Sequence, residues 1–307
     1  MLCLPAAPGL HRFRSPFDIA AIAVRGAADG PTLLVSAGVH GDEYEGVRAI
    51  FETVEALDAG ALRGTLLTVP VLNYPAHRAV TRHHPADGAN LARQFPGRAD
   101  GTASERLAHA FTAEFLPRAD FYLDLHSGGI RFAMPSMVGY EAADPRGRAA
   151  AAAFGAPVIW GHPVIEPGRT ISAARALGIP FLYTEARGAG RIHPDDLLMM
   201  RRGITNLLRH LGMLDGAPEI PAPPQRLLGI GNTDEGVYAT ASGVFMPSVA
   251  LLDPVRAGQP IGRIVDELGE VLATPVAPAD GIVGLLRELP PVDEGDVLLL
   301  VATPEEV

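Results

Sequence analysis

A histidine and a glutamate three positions apart, His40 and Glu43, stand in the run Ser36-Ala37-Gly38-Val39-His40-Gly41-Asp42-Glu43. They follow a short apolar run, Thr32 to Val35, that reads as a buried strand. Far down the chain a second apolar run, Phe121-Tyr122-Leu123-Asp124-Leu125, leads into His126-Ser127-Gly128-Gly129. Two histidines and one carboxylate with a fourth position open are the donor set of catalytic zinc. A close chelating pair and a distant third ligand suit such a site. One zinc ion per chain, held by His40, Glu43 and His126, would lower the pKa of a water toward ~7 and polarise a scissile carbonyl. A lone loop histidine is more often simply hydrogen-bonded. Three ligand-type residues, each at or just past a strand end, favour the metal, although Fe, Co or Mn could take the same donors.

Hydrolysis at such a centre needs a general base. Glu185, in Tyr183-Thr184-Glu185-Ala186-Arg187-Gly188, follows another apolar strand and precedes a Gly-rich loop, so it can reach the same rim. Between the ligands lie loop residues carrying two arginines, Arg82 and Arg93, in Thr81-Arg82 and in Asp87 to Gly97. An arginine beside zinc can stabilise a developing oxyanion, and another can pair with a substrate carboxylate. A solvated arginine-rich loop is the plainer alternative. Asp124, two residues before His126, is placed to orient a ligand or to cap a loop. His83 and His84 read as exposed loop residues. Arg187 and Arg191 are second candidates for an acyl carboxylate. Trp160 and Tyr183 read as packing residues.

The composition removes other chemistries. All 25 basic residues are arginine, so neither a Schiff-base lysine nor a phosphate-loop lysine exists. A formal net charge of −10 argues against nucleic acid. Cys3 is the only cysteine, which excludes an internal disulfide and a cysteine-based metal or redox site. No signal-peptide pattern opens the sequence and no apolar stretch reaches membrane-spanning length, so no membrane association is expected and the expected compartment is the cytoplasm.

Up to about residue 213, strand-like runs alternate with helix-like runs. The strands are expected at Ile19–Val24, Thr32–Ser36, Thr65–Val71, Phe121–Leu125, Val158–Ile159 and Phe181–Thr184. The helices are expected at Tyr44–Ala59, Ser104–Phe115, Pro145–Phe154, Ser172–Leu177 and Asp195–Leu211, the last capped by Asp195. Alternation of this kind predicts an α/β sandwich with an at least partly parallel sheet. The Pro-rich stretch 215–225 divides a catalytic domain, 1–214, from a C-terminal domain, 226–307. In the latter, short β-like runs recur at Gly236–Thr240, Gly243–Phe245, Val249–Leu252, Pro260–Val265, Glu270–Thr274, Gly281–Leu286 and Val297–Val301, as in a small barrel or sandwich.

These motifs together resemble the succinylglutamate desuccinylase/aspartoacylase family, relatives of the zinc carboxypeptidases. The resemblance runs from His40 through Glu185 into the β-rich part. It implies a carboxypeptidase-like α/β sandwich followed by a smaller all-β domain. His40 to Glu43 matches the family's His-Gly-Asp-Glu motif, His126 its Asp-Leu-His-Ser histidine, and Glu185 its catalytic glutamate. Arg82, after Asn73-Tyr74-Pro75, looks like the carbonyl-polarising arginine. Asn90-Leu91-Ala92-Arg93-Gln94-Phe95-Pro96-Gly97 is similar to the family's carboxylate-binding stretch, which implies that Asn90 and Arg93 bind substrate. Ala92 stands where many members have Asn, so one amide contact differs. The C-terminal runs resemble a biotinyl/lipoyl-type sandwich without its modifiable lysine, which implies a structural or shielding role.

The resemblance implies zinc-dependent cleavage of the amide bond in a small N-acyl amino acid. Glu185 would act as base, Arg82 as oxyanion donor and Arg93 as carboxylate ligand. A carboxypeptidase or amidase acting on short peptides, and a non-catalytic metal-binding module, are the competing readings. Acyl group, amino acid and homo-oligomeric state stay open.

Overall fold

The structure is a computed structural model that describes residues 2, 4–229, 231 and 235–305. Cys3 and parts of the expected C-terminal domain lie outside the described residues. In chain order the first part comprises β1 (Gly9–Arg14), β2 (Ala20–Arg25), β3 (Ala28–Ala37), α1 (Glu45–Ala56), β4 (Arg63–Val69), α2 (Tyr74–Ala79), α3 (Ala103–Glu114) and β5 (Phe121–Leu125). Next come β6 (Phe132–Ala133), β7 (Met137–Glu141), α4 (Pro145–Phe154), β8 (Val158–His162), α5 (Thr170–Ala176), β9 (Phe181–Glu185) and α6 (Pro194–His210). The rest is β: β10 (Gln225–Leu228), β11 (Val237–Tyr238), β12 (Gly243–Pro247), β13 (Pro254–Val255) and β14 (Gly262–Val265), then β15 (Val271–Ala273), β16 (Gly281–Arg287), β17 (Pro291–Val292) and β18 (Val297–Pro304).

A large mixed sheet runs β1-β2-β4-β3-β5-β9-β7-β8-β10-β18-β16-β13, and a smaller antiparallel sheet runs β15-β14-β12-β17. The fold class is therefore the expected one. At its centre β4, β3, β5 and β9 lie parallel. Side chains alternate across these strands. Leu33, Val35 and Leu123 join one apolar layer with α1, α4 and α6, while Leu34 and Tyr122 join the opposite layer with α3 and α5. Helix α1 forms because Val47, Ile50 and Val54 recur at helical spacing and bury one face on the sheet. Helix α3 starts at a capping box, in which Thr102 and Glu105 each accept the other's backbone N–H.

Several expected elements are displaced. Asp195 is not the cap of the last helix. His193 takes that place and Pro194 the first helical position, where a missing N–H costs nothing. Val249–Leu252 is not a strand; its chain is closed by a turn in which Asp253 accepts the Ala250 N–H. Strands β1, β7 and β10 were not anticipated. Strand β7 reads locally as loop because Pro135 stands just before it and Gly139 lies within it.

Hydrogen bonds cross the Pro-rich stretch expected to separate two domains. Strand β10 pairs in parallel with β8 and antiparallel with β18, and β6 pairs with β16. Asn206 of α6 donates to Glu219 O and accepts from Glu219 N, holding the stretch against the first part. An apolar seam of Met137, Trp160, Leu227, Leu285 and Leu300 joins the two parts, and the β-rich part keeps a further core around Phe245, Ile264 and Leu299. Trp160 is fully buried, as the packing expectation requires. Its ring fits because Gly284 lacks a Cβ, which would lie 2.7 Å from it.

Candidate active site

The parallel register aligns Ser36 with Asp124, and Asp124 with Tyr183, so β3, β5 and β9 end at one rim. Such carboxyl ends are where open α/β sheets place their sites. The loop after β3 carries His40 and Glu43, the end of β5 leads into His126, and β9 ends on Glu185. The motif's glycine is a packing requirement. A Cβ at Gly41 would lie 2.1 Å from the Ala76 backbone of α2. Asp42 ties the two ligand loops together, its Oδ2 accepting the Ile130 N–H at 3.2 Å.

His40, Glu43 and His126 each bring one ligand atom within 4.8 Å of the others. His40 Nδ1 lies 2.6 Å from Glu43 Oε1, and His126 Nδ1 lies 2.9 Å from Glu43 Oε2. The outer nitrogens are already committed: His40 Nε2 donates to Asn90 Oδ1 at 3.1 Å and His126 Nε2 to Asp124 Oδ2 at 2.9 Å. An imidazole that donates through Nε2 keeps its Nδ1 lone pair for a metal, so the donor set and its tautomers fit a divalent ion. Asp124 is held in turn. Ser36 Oγ donates to its Oδ1 at 2.6 Å, and Thr170 Oγ1 donates to its Oδ2.

Charge is concentrated here out of water. Burial opposes ionisation of Glu43, yet His40 and His126 hold its carboxyl well below the usual range. Burial pushes the His126 pKa down, but Asp124 and Glu43 outweigh it and raise the pKa well above the ordinary value. For His40, burial and then the Arg82 charge win, and its pKa falls. Asp124 stays below its ordinary value because His126 and its hydrogen bonds overcome burial. Glu185 is pushed up to about 8, first by burial and then by the neighbouring Glu43 charge. Its Oε2 is buried without a hydrogen-bond partner among the described residues. Such an orphaned oxygen is costly unless a proton donor completes it, as a reacting water would.

Arg82 donates to Glu43 Oε1 at 3.0 Å and lines the cleft beside His40 and His126. Arg93 lines the same cleft. The Asn90 side chain caps the turn before Arg93, accepting the Ala92 N–H at 2.9 Å, and its Oδ1 also receives His40. The structure therefore couples Asn90 to His40. Gly188 seats the loop after Glu185, since a Cβ there would lie 2.7 Å from the Gly128 and Gly129 nitrogens. Arg187 faces elsewhere. Its Nε meets Asp196 at 3.1 Å, and Arg191 is exposed. His83 is exposed as expected, but His84 is buried and accepts the Ala86 N–H.

Sequence reasoning missed part of the cleft wall. His162, Glu166 and Arg169 all line it, as does Tyr183, which is more than a packing residue. His162 Nδ1 lies 2.8 Å from Gly229 O, and the Tyr183 hydroxyl donates to His162 Nε2 at 2.7 Å. Burial holds His162 at about 4 and therefore neutral. Leu285 and Leu300 bring the C-terminal strands to the same cleft. Only period-2 alternation along β8 and β9 could have indicated His162 and Tyr183. No local pattern marks Glu166 or Arg169.

The model of the succinylglutamate desuccinylase/aspartoacylase catalytic domain matches residues 29–211. The N-alpha-acetyl-L-2,4-diaminobutyric acid deacetylase of Halomonas elongata is 36% identical over 283 residues, which cover 89% of this chain and 82% of that protein. A solved succinylglutamate desuccinylase/aspartoacylase from Rhodobacter sphaeroides is 30% identical with a TM-score of 0.85, covering 98% of this chain and 96% of that one. The product-bound ectoine utilization protein of Ruegeria pomeroyi is 28% identical with a TM-score of 0.87, covering 98% and 97%.

Proposed function

Because the chain belongs to the succinylglutamate desuccinylase/aspartoacylase family, we propose that it is a zinc-dependent hydrolase of small N-acyl amino acids. The observation that carries the reading is the convergence of His40, Glu43 and His126 beside a buried, unpartnered Glu185 oxygen. A bound zinc ion supplies Lewis acidity and a water of lowered pKa.

The chain's own residues do the rest. Glu185 takes the proton of the attacking water, the acyl C–N bond breaks, and Glu185 returns the proton to the leaving amine. Water is thereby added across the amide, giving a carboxylate and a free amino acid. Arg82 is positioned at the rim to donate to the oxyanion that develops on the carbonyl. Arg93 pairs with the amino-acid carboxylate. Asn90 and Asp124 hold the two histidines in their lone-pair-donating tautomers. Leu285 and Leu300 close the apolar side of the cleft, which favours small substrates over extended peptides. The β-rich part, residues 226–307, thus acts as a shield. Among the described residues no helix is long and apolar enough to cross a membrane. The proposed setting is the cytoplasm.

The test combines metal analysis with a substrate panel. The purified protein is expected to carry one zinc per chain and His126→Ala almost none. Nα-acetyl-2,4-diaminobutyrate, the compound named for the Halomonas relative, heads a panel of acetylated and succinylated amino acids and dipeptides. Full zinc occupancy in His126→Ala would overturn the ligand set. Hydrolysis of dipeptides but not of acylated amino acids would overturn the substrate class.

A further inference from the structure

We propose that Glu166 recognises a cationic side chain on the amino-acid half of the substrate, so that the cleft selects N-acylated diamino acids. The proposal rests on the deacylase reading above. It comes from a charge inventory of the cleft wall. Among the described residues, three guanidinium groups line it, Arg82, Arg93 and Arg169, and three carboxylates, Asp124, Glu185 and Glu166. Asp124 is fully buried and already receives Ser36, His126 and Thr170. Glu185 is the base. Glu166 is half-buried and, among the described residues, makes no hydrogen bond or ion pair. A cleft built only to bind anions gains nothing from a carboxylate in its wall. That charge would repel the substrate and lose hydration when the substrate covers it.

Its position relative to Arg93 gives the proposal its geometry. Glu166 lies on the connection from β8 to α5, between Pro163 and Pro167, each of which fixes a backbone angle. This connection is stapled to the Arg93 segment. Phe95 N donates to Gly168 O at 3.0 Å, and a Cβ on Gly168 would lie 3.0 Å from the Arg93 Cα. Opposite charges therefore reach one cleft from two adjoining segments. The amino-acid half of an N-acyl diamino acid carries the matching pair on one short skeleton, a carboxylate and a side-chain ammonium. Pairing with Glu166 rewards the ammonium. An uncharged side chain leaves the carboxylate desolvated and unpaired, which widens the discrimination.

The test compares charged and uncharged isosteres. Binding of 2,4-diaminobutyrate and of 2-aminobutyrate to the zinc-loaded protein is measured by calorimetry, and kcat/KM is measured for their Nα-acetyl forms. The wild type is expected to favour the diamino compound about ten- to a hundred-fold in both. Glu166→Gln should bring both ratios close to one, and Glu166→Asp should retain part of the preference. A wild-type ratio near one, or a ratio unchanged by Glu166→Gln, would overturn the proposal. If no acylated amino acid of the wider panel is hydrolysed the deacylase reading fails, and the calorimetric ratio still decides whether Glu166 reads the ammonium.

Discussion

His126 is gripped from both sides, by Glu43 at Nδ1 and by Asp124 at Nε2, whereas Glu166, in the wall of the same cleft, has no polar partner among the described residues. The candidate metal end sits where three parallel strands end at one rim, on the loop after β3 and just past β5, and Asp124 behind it is itself hydrogen-bonded. The proposed recognition groups sit on connections: the turn that carries Arg93 and the β8-to-α5 loop. Chemistry needs groups fixed to within a fraction of an ångström, and strand ends supply that. Specificity needs only complementary charge, and loops supply it while leaving the scaffold free to keep one mechanism for different substrates.

If this contrast is right, changes at the metal end should hit turnover or metal, and changes in the wall should hit selectivity. The largest effect is expected from Glu185→Gln. It should keep zinc and fold yet lose about 10²–10⁴-fold in kcat, as loss of a general base does. A near wild-type kcat would make Glu185 structural. Asp124→Asn comes next. The amide cannot accept equally from His126, Ser36 and Thr170, and metal affinity should fall about 10–100-fold, as for other outer-shell partners. Competition with a chelator measures this, and unchanged affinity would show that the rim alone fixes His126.

Arg93→Ala should lower kcat/KM about ten- to a hundred-fold on free acids, from a lost charge-assisted pair of about 1.5–3 kcal/mol. The same substrates blocked as carboxamides should be affected far less. Equal losses on acid and amide would remove Arg93 from carboxylate recognition.

The smallest effect sharpens the comparison through pH. In the metal-free protein the Glu185 carboxyl is raised from 4.5 to about 8, chiefly by burial and then by Glu43. Between those values the folded state holds a proton that the unfolded chain has released. The associated stability is complete below about pH 4.5 and is lost as pH rises through about 8. The melting temperature of the chelated wild type should therefore fall more steeply from pH 5 to 8 than that of chelated Glu185→Gln. Parallel curves would mean that Glu185 is better solvated than its burial indicates.

The residues of the candidate metal end were legible in one dimension. His40, Glu43, His126 and Glu185 each follow a short apolar strand, and a donor at a strand end is a local pattern that survives without coordinates. The order of α and β runs likewise implied an α/β sandwich with an at least partly parallel sheet, because alternating apolar periodicities of about 2 and 3.6 are properties of the chain itself. What the Pro-rich stretch 215–225 separates was not legible. Composition marks a break there, yet β10 continues the large sheet from its far side, since strand pairing is decided by backbone hydrogen bonds that any sequence can offer. The cleft wall was hidden for a related reason. Glu166 and Arg169 are ordinary loop residues until β8 and α5 bring their connection against Arg93, 73 and 76 positions earlier in the chain. Asn90, expected as a substrate contact, also accepts from His40 Nε2, a link between segments that no local pattern shows. The sequence by itself determined which atoms can ligate a metal and move a proton, because donor chemistry belongs to side-chain type. Only the tertiary structure decided which charges share the cleft, because that depends on distances between segments that no local pattern encodes.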